Sequence, residues 1–203
     1  MNKILENKVA IVTGGNSGIG EATAHLFSEQ GAKVIIMARR DEEGKRVESE
    51  IIKNGGEATF IKCDVGDENI VNSAISKAAE VYGEIHILFN NAGHGAAGDF
   101  PESTTEDWNT VINDNLNGTF FVSRAVWPYM VNSGGGAIVN MSSLAAQRGF
   151  SPKMKEEFGT TAPSYYVAKA GIDALTRYMA GVGGDKNIRV NCIRPGGILD
   201  TQP

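Results

Sequence analysis

The stretch Thr13-Gly14-Gly15-Asn16-Ser17-Gly18-Ile19-Gly20 constrains this chain more than any other part of it. It follows the apolar run Val9-Ala10-Ile11-Val12, which reads as a short buried strand, and it opens residues 21–30, where Ala22, Leu26 and Phe27 recur at helical spacing. Strand, glycine turn and helix in that order build a phosphate cradle. The glycines let the backbone turn sharply and approach a pyrophosphate, whose charge is met by free amide donors at the helix N-terminus. An isolated glycine-rich turn would read equally well as an ordinary loop; the spacing TGxxxGIG between a strand and a helix favours the cradle.

The rest of the chain alternates strand and helix. Strands are expected at 33–37, 58–62, 85–90, 137–142 and 189–193, and helices at 41–53, 67–82, 103–131 and 165–180. Ser103 and Glu106 have the spacing of a capping box at the start of the long stretch. The strands are nearly all apolar, as expected when helices cover both faces of a parallel sheet. The fold class is therefore α/β, a doubly wound, Rossmann-like parallel sheet, with residues 1–203 forming one domain.

Bulk properties remove several function classes. A formal net charge of -5 and a sequence pI near 5.3 argue against nucleic acid or an anionic membrane as partner, since both need a basic face. The first eight residues are polar, without the apolar core of a signal peptide, and no apolar run approaches the ~20 residues of a membrane span, so a cytoplasmic location is expected. Cys63 and Cys192 sit in strand-like runs and read as reduced core thiols. His25, His86 and His94 lack metal-ligand spacing, and no metal is expected.

The end of the second strand bears on which dinucleotide fits. An acidic residue there would bond the ribose 2′-hydroxyl of NAD; this chain has Ala38-Arg39-Arg40. Arg39 can grip a 2′-phosphate through charge-assisted bonds, which favours NADP, with NAD the second choice. The plainer alternative makes Arg39 and Arg40 solvated charges ahead of a helix that starts Asp41-Glu42-Glu43. Asp64, after the third strand, is placed to accept from an adenine amino group or to cap a turn.

Tyr165 and Lys169 stand four apart on one helix face. A phenol is a sluggish acid or base at neutral pH, and a neighbouring ammonium stabilises its phenolate. YxxxK alone describes many surface pairs. Here it is accompanied by the glycine turn, by Asn90-Asn91-Ala92-Gly93 after the fourth strand, and by Ser142-Ser143 after the fifth.

With these four motifs in order, the chain resembles the short-chain dehydrogenase/reductase family from about Val9 to Pro195-Gly196. The resemblance implies an oxidoreductase acting on a carbonyl or secondary alcohol, with Tyr165 as general acid or base and Lys169 tuning it and holding the nicotinamide ribose. Ser143, with Ser142 as the alternative, would bond the substrate oxygen. Asn115 would support a water relay to the lysine, unless it is merely a helix-breaking asparagine. The cofactor would lie over Gly14, Asn16, Ser17, Gly18, Ile19 and Gly20, reach Arg39, Arg40, Asp64 and Val65 at its adenosine end, and run past Asn91, Ala92 and Gly93 to Pro195, Gly196, Ile198 and Thr201. Asn90 would brace the sheet. Family members commonly pair helices corresponding to 116–131 and 165–180 in a homodimer or homotetramer, and Ala168, Ala170, Gly171 and Ala174 would permit close approach.

Two features depart from the family pattern. Ser143 and Tyr165 are 22 positions apart, so residues have been inserted between them. The insertion carries Phe150, Met154 and Phe158 on one helical face, with Ser151 as N-cap, Pro152 in the first turn and Gly159 as a stop. It reads as a lid over the substrate crevice or as a surface excursion packed on the domain. The sequence also stops at Pro203, where family members continue into a substrate-covering segment; the expectation is a longer protein, the alternative a truncated one. Beside the oxidoreductase reading stand a non-redox elimination or epimerisation on the same scaffold and a catalytically silent cofactor-binding regulator. The small-molecule substrate itself is not legible.

Overall fold

The computed structural model describes residues 3–95, 98–149, 151–159 and 162–198. Its chain order is β1 (Val9–Thr13), α1 (Gly18–Glu29), β2 (Lys33–Ala38), α2 (Asp41–Lys53), β3 (Glu57–Lys62), α3 (Glu68–Tyr82), β4 (Ile87–Asn90), α4 (Thr105–Ile112), α5 (Gly118–Asn132), β5 (Gly136–Met141), α6 (Pro152–Phe158), α7 (Pro163–Gly183) and β6 (Ile188–Ile193). The six strands form a sheet of order β3-β2-β1-β4-β5-β6, and every pairing is parallel. β1 lies between β2 and β4, with Ile11 opposite both Ile35 and Leu88. That reversal of strand order opens a crevice at the strands' carboxyl ends, where ligands of such sheets bind.

The unbroken apolar runs of the inner strands follow from two cores. Ile11, Ile35 and Met37 pack with Val71 and Ile75 of α3 and Val122 and Val126 of α5. Their neighbours Ala10, Val12, Val34 and Ile36 pack with Ala24 of α1 and Val47 and Ile51 of α2 on the opposite face. Each fully buried aliphatic side chain is worth about 1.5–3 kcal/mol. The outer strand β6 departs from expectation and alternates, with Ile188 and Val190 buried while Arg189 and Asn191 are exposed. An edge strand covered on one face needs only every second residue apolar.

Two local expectations are corrected. The helix at 105 is capped by Thr104, whose Oγ1 accepts from Asp107 N–H at 3.1 Å and donates to the Asp107 carboxylate at 2.6 Å; the reciprocal pair lies one residue beyond Ser103 and Glu106. Ser103 Oγ instead donates to the Asp99 carbonyl. The long stretch is continuous but not uniform, because Asn113–Asn117 form one turn of π-helix between α4 and α5. Asn115 therefore widens the helix without breaking it.

Candidate active site

The glycine turn between β1 and α1 closes against the loop after β4. A Cβ on Gly20 would lie 2.1 Å from the Gly14 carbonyl oxygen and 2.5 Å from Asn91 Nδ2, so no larger residue fits there. Asn91 Nδ2 donates to the Thr13 and Gly14 carbonyls, and Thr13 Oγ1 accepts from the Asn91 and Ala92 amides at 3.0 Å. The motifs at 13–20 and 90–93 thereby form a single wall.

That wall borders a cavity of about 520 Å³, well within the range of small-molecule sites. Gly14, Asn16, Ser17 and Ile19 line its cradle end; Gly18 and Gly20, expected there too, are not lining residues. Arg39, Arg40, Asp64 and Val65 line one extremity. Asn91, Ala92 and Gly93 line the middle, and Pro195, Gly196 and Ile198 the far side. Thr201 lies outside the described residues.

At the arginine end the contacts are specific. Arg40 Nη2 donates to Ser17 Oγ at 2.9 Å, and Asn16, with its amide oxygen turned to the guanidinium, accepts from Arg40 Nε at 3.1 Å. Arg39 Nη1 donates to Asp114 Oδ2 at 3.2 Å. Asp64 Oδ1 accepts from the Gly66 amide, which makes it a turn cap as well as part of the cavity wall.

Tyr165, Lys169, Asn115, Ser142 and Ser143 meet at the other end of the same cavity. Tyr165 and Lys169 come from the first turns of α7, where Pro163 starts the helix at a position that needs no N–H donor. Lys169 is 3% exposed; its Nζ donates to the Met141 carbonyl at 2.9 Å and lies 5.4 Å from the Tyr165 ring centroid. Burial lowers the Lys169 ammonium to a pKa of about 8. Asn115 is fully buried, its Nδ2 donating to the His94 and Val111 carbonyls. Its Oδ1 has no partner among the described residues, and a Cβ on Gly93 would lie 2.4 Å from that oxygen and 3.7 Å from Lys169 Nζ. Gly93 thus keeps a gap between the asparagine oxygen and the ammonium. Ser142 is buried with its hydroxyl on the Lys169 carbonyl, whereas Ser143, less buried, accepts from the Ala145 amide.

The model of the short chain dehydrogenase family matches residues 8–202. This chain belongs to the short-chain dehydrogenase/reductase family. It is 40% identical over 202 residues to a 3-oxoacyl-acyl-carrier-protein reductase of Chlamydia muridarum, covering 99% of this chain and 77% of that protein. It is 39% identical over 195 residues to a 2,5-dichloro-2,5-cyclohexadiene-1,4-diol dehydrogenase of Sphingobium indicum, covering 96% of this chain and 74% of the relative. A crystal structure from Sinorhizobium meliloti 1021, provisionally described as a short-chain alcohol dehydrogenase, superposes with a TM-score of 0.89 at 34% identity over 98% of this chain and 75% of that one. Proteins of this family use a nicotinamide dinucleotide and act on carbonyls or alcohols, which makes the chain an oxidoreductase.

Set in this short-chain dehydrogenase, several residues stand out that sequence reasoning passed over. Asp114 receives both Arg39 and His94 on one oxygen, the latter at 3.0 Å. Asp173, one turn after Lys169 and 5% exposed, accepts from Arg194 Nε at 2.7 Å and from Cys192 Sγ at 3.4 Å, tying β6 and the Pro195-Gly196 segment to α7. Burial opposes its charge, yet the bonds from Ser142, Arg194 and Cys192 hold its carboxyl below the usual range. The partners lie 75 and 21 positions apart, so only the single acidic residue next to Asn115 offered any signal. Glu21, His25 and Glu50 also cluster within 4.8 Å, but the Arg46 guanidinium bonds both carboxylates at 2.7–2.9 Å.

The insertion forms α6, ended at Gly159, whose amide donates to the Lys155 carbonyl. Ser151 contributes its carbonyl to the Lys155 amide at 3.1 Å. Lys155 pairs with Asp99. The expected apolar stripe of Phe150, Met154 and Phe158 lies outside the residues whose side chains are described. Of the small residues expected at a helix interface, Ala168 is fully buried inside the chain and a Cβ on Gly171 would meet Leu116 at 2.9 Å; only Ala170 and Ala174 face outward. Successive turns of α7 serve the sheet with one face and solvent with the other.

Proposed function

We propose that this chain is an NADP(H)-preferring oxidoreductase that interconverts a carbonyl and a secondary alcohol, with Tyr165 as general acid and base. The observation that carries the reading is the buried Lys169 ammonium beneath the Tyr165 ring, in the cavity that the glycine cradle also borders. Bound there, NADPH would supply the hydride that the carbonyl carbon receives. The Tyr165 hydroxyl gives its proton to the carbonyl oxygen, and the resulting alcohol carries both. Lys169 stabilises the phenolate left behind, and a proton returns through the gap that the unpartnered Asn115 Oδ1 faces. Ser143, at the cavity wall, holds the substrate oxygen.

The preference for NADP rests on two arginines after β2 with no carboxylate at Ala38. Free Cys63 and Cys192 fit a cytoplasmic setting; burial pushes the Cys63 thiol up to about 12. Exposed Phe120, Val167, Tyr178 and Val182 on α5 and α7 favour self-association as a homodimer or homotetramer. The α6 insertion, tied by Lys155 to Asp99, acts as a lid on substrate choice; removing residues 150–159 shifts the substrate profile, and an unchanged profile in a folded deletion variant contradicts it.

The test follows absorbance of reduced nicotinamide during incubation with a panel of ketones and aldehydes. Consumption of NADPH at a kcat/KM at least about tenfold above that with NADH is expected. Cofactor binding with no consumption on any carbonyl would overturn the enzymatic reading.

A further inference from the structure

The pair Arg39–Asp114 has a consequence for cofactor choice that neither residue has alone. Asp114 sits in the π-helical turn next to Asn115, with its side chain 14% exposed, whereas Arg39 is 59% exposed. Its Oδ2 takes both Arg39 Nη1 and His94 Nε2. Its Oδ1 lies beside Gly66, 2.9 Å from where a Cβ there would sit, in the segment that follows Asp64 and Val65. The carboxylate is therefore fixed at the adenosine extremity of the cavity, of which it is itself a lining residue.

We propose that Asp114 is a specificity-determining residue, an internal anion that competes with a cofactor 2′-phosphate for Arg39. The inference rests on the reading of Arg39 as the phosphate-binding arginine. A phosphate that takes Arg39 must break its bond to Asp114 and then share the neighbourhood with a carboxylate of like charge. A ribose bearing only a 2′-hydroxyl meets neither cost. Asp114 thus lowers the advantage of NADPH over NADH below what two arginines would confer. It is well placed for this because burial and the second bond to His94 hold it still while Arg39, mostly in solvent, is free to swing between anions.

Dissociation constants for NADPH and NADH, measured by fluorescence titration on the whole chain and on Asp114→Asn, Asp114→Ser and Arg39→Ala, test it. Both Asp114 variants should tighten NADPH about three- to tenfold and leave NADH within about twofold, the range expected when a partly exposed charged contact is released. Using the ratio of the two constants cancels general damage to the cavity, and thermal melts verify the fold. In Arg39→Ala,Asp114→Asn the gain should shrink, because the competition needs the arginine. If Arg39→Ala weakens NADPH selectively but neither Asp114 variant raises the ratio, the competition is refuted and the arginine reading stands. If Arg39→Ala leaves NADPH unchanged, both fall. Equal weakening of both cofactors in the Asp114 variants would make Asp114 an ordinary brace and would also refute the proposal.

Discussion

At the arginine end of the cleft, Arg39 and Arg40 reach their partners across solvent, with side chains 59% and 54% exposed; at the end lined by Tyr165, Lys169 and Asn115 make theirs at 3% exposure or none. The two ends are connected through the same loop, 90–93, yet they obey different energetics. An exposed ion pair contributes about 0–1 kcal/mol and is screened by salt. A buried polar group left without its partner costs about 1–3 kcal/mol, more if charged. The exposed end is therefore a place where binding preference can be adjusted at little risk to the fold. The buried end holds groups that must keep one geometry, and changes there register in turnover and stability together.

Substitutions should reveal this contrast in order of size. Lys169→Met should lower turnover by about 10²-fold or more, by removing the charge that supports Tyr165. The same change should raise stability at pH 7 by about 1–3 kcal/mol, because the folded state holds a buried ammonium whose pKa of about 8 lies below its ordinary 10.5. The sign has a pH signature. Below about 8 both folded and unfolded chains carry the proton and the penalty is complete; between there and 10.5 the unfolded chain holds more protons, so parental stability rises with pH and the gap to the variant closes. Urea unfolding at pH 7 and pH 10 measures both, and a gap that fails to narrow would contradict the assignment.

A smaller loss is expected where β4 and β5 are braced to each other and to α5 and α7. Asn140 Oδ1 accepts from Asn90 Nδ2, which also bonds Ser123 Oγ, and Asn140 Nδ2 donates to Thr176 Oγ1, all at 2.9 Å. Asn140→Leu should cost about 1–3 kcal/mol in denaturant unfolding, since it removes one partner each from Asn90 and Thr176 in the interior. Arg46→Ala marks the opposite limit. Although it bonds Glu21 and Glu50, the side chain is 45% exposed, and a loss below about 1 kcal/mol, shrinking further in salt, is expected. A loss from Arg46→Ala equal to that from Asn140→Leu would erase the distinction between exposed and buried contacts.

The legible parts of this molecule are those whose signal is local. TGxxxGIG, NNAG and YxxxK are each read within a few residues, and the cavity gathers residues from all three. The inner strands announced themselves because both faces are covered; β6 was read as a strand too, but not as one covered on a single face, since its position at the edge is a property of topology. The cap shift from Ser103 to Thr104 reflects two hydroxyls in adjacent positions with acidic residues three beyond each, a tie that propensity does not break. The π turn at Asn113–Asn117 holds Asn115, whose side chain bonds the His94 carbonyl across the fold as well as the Val111 carbonyl one turn back, a distant contact with no local signal. Asp114 and Asp173 were illegible for the same reason: their arginines arrive from distant strands.

The account stands on Tyr165 as the group that moves the proton. The measurement that reaches it directly compares Tyr165→Phe with the parental chain for two quantities in one preparation, the turnover of a reducible carbonyl and the dissociation constant of NADPH. Turnover should fall by about 10²–10⁴-fold while NADPH binding stays within a few fold, because only the hydroxyl has been removed from a ring that keeps its place above Lys169. Turnover near the parental rate would contradict the account and move the proton transfer to another group.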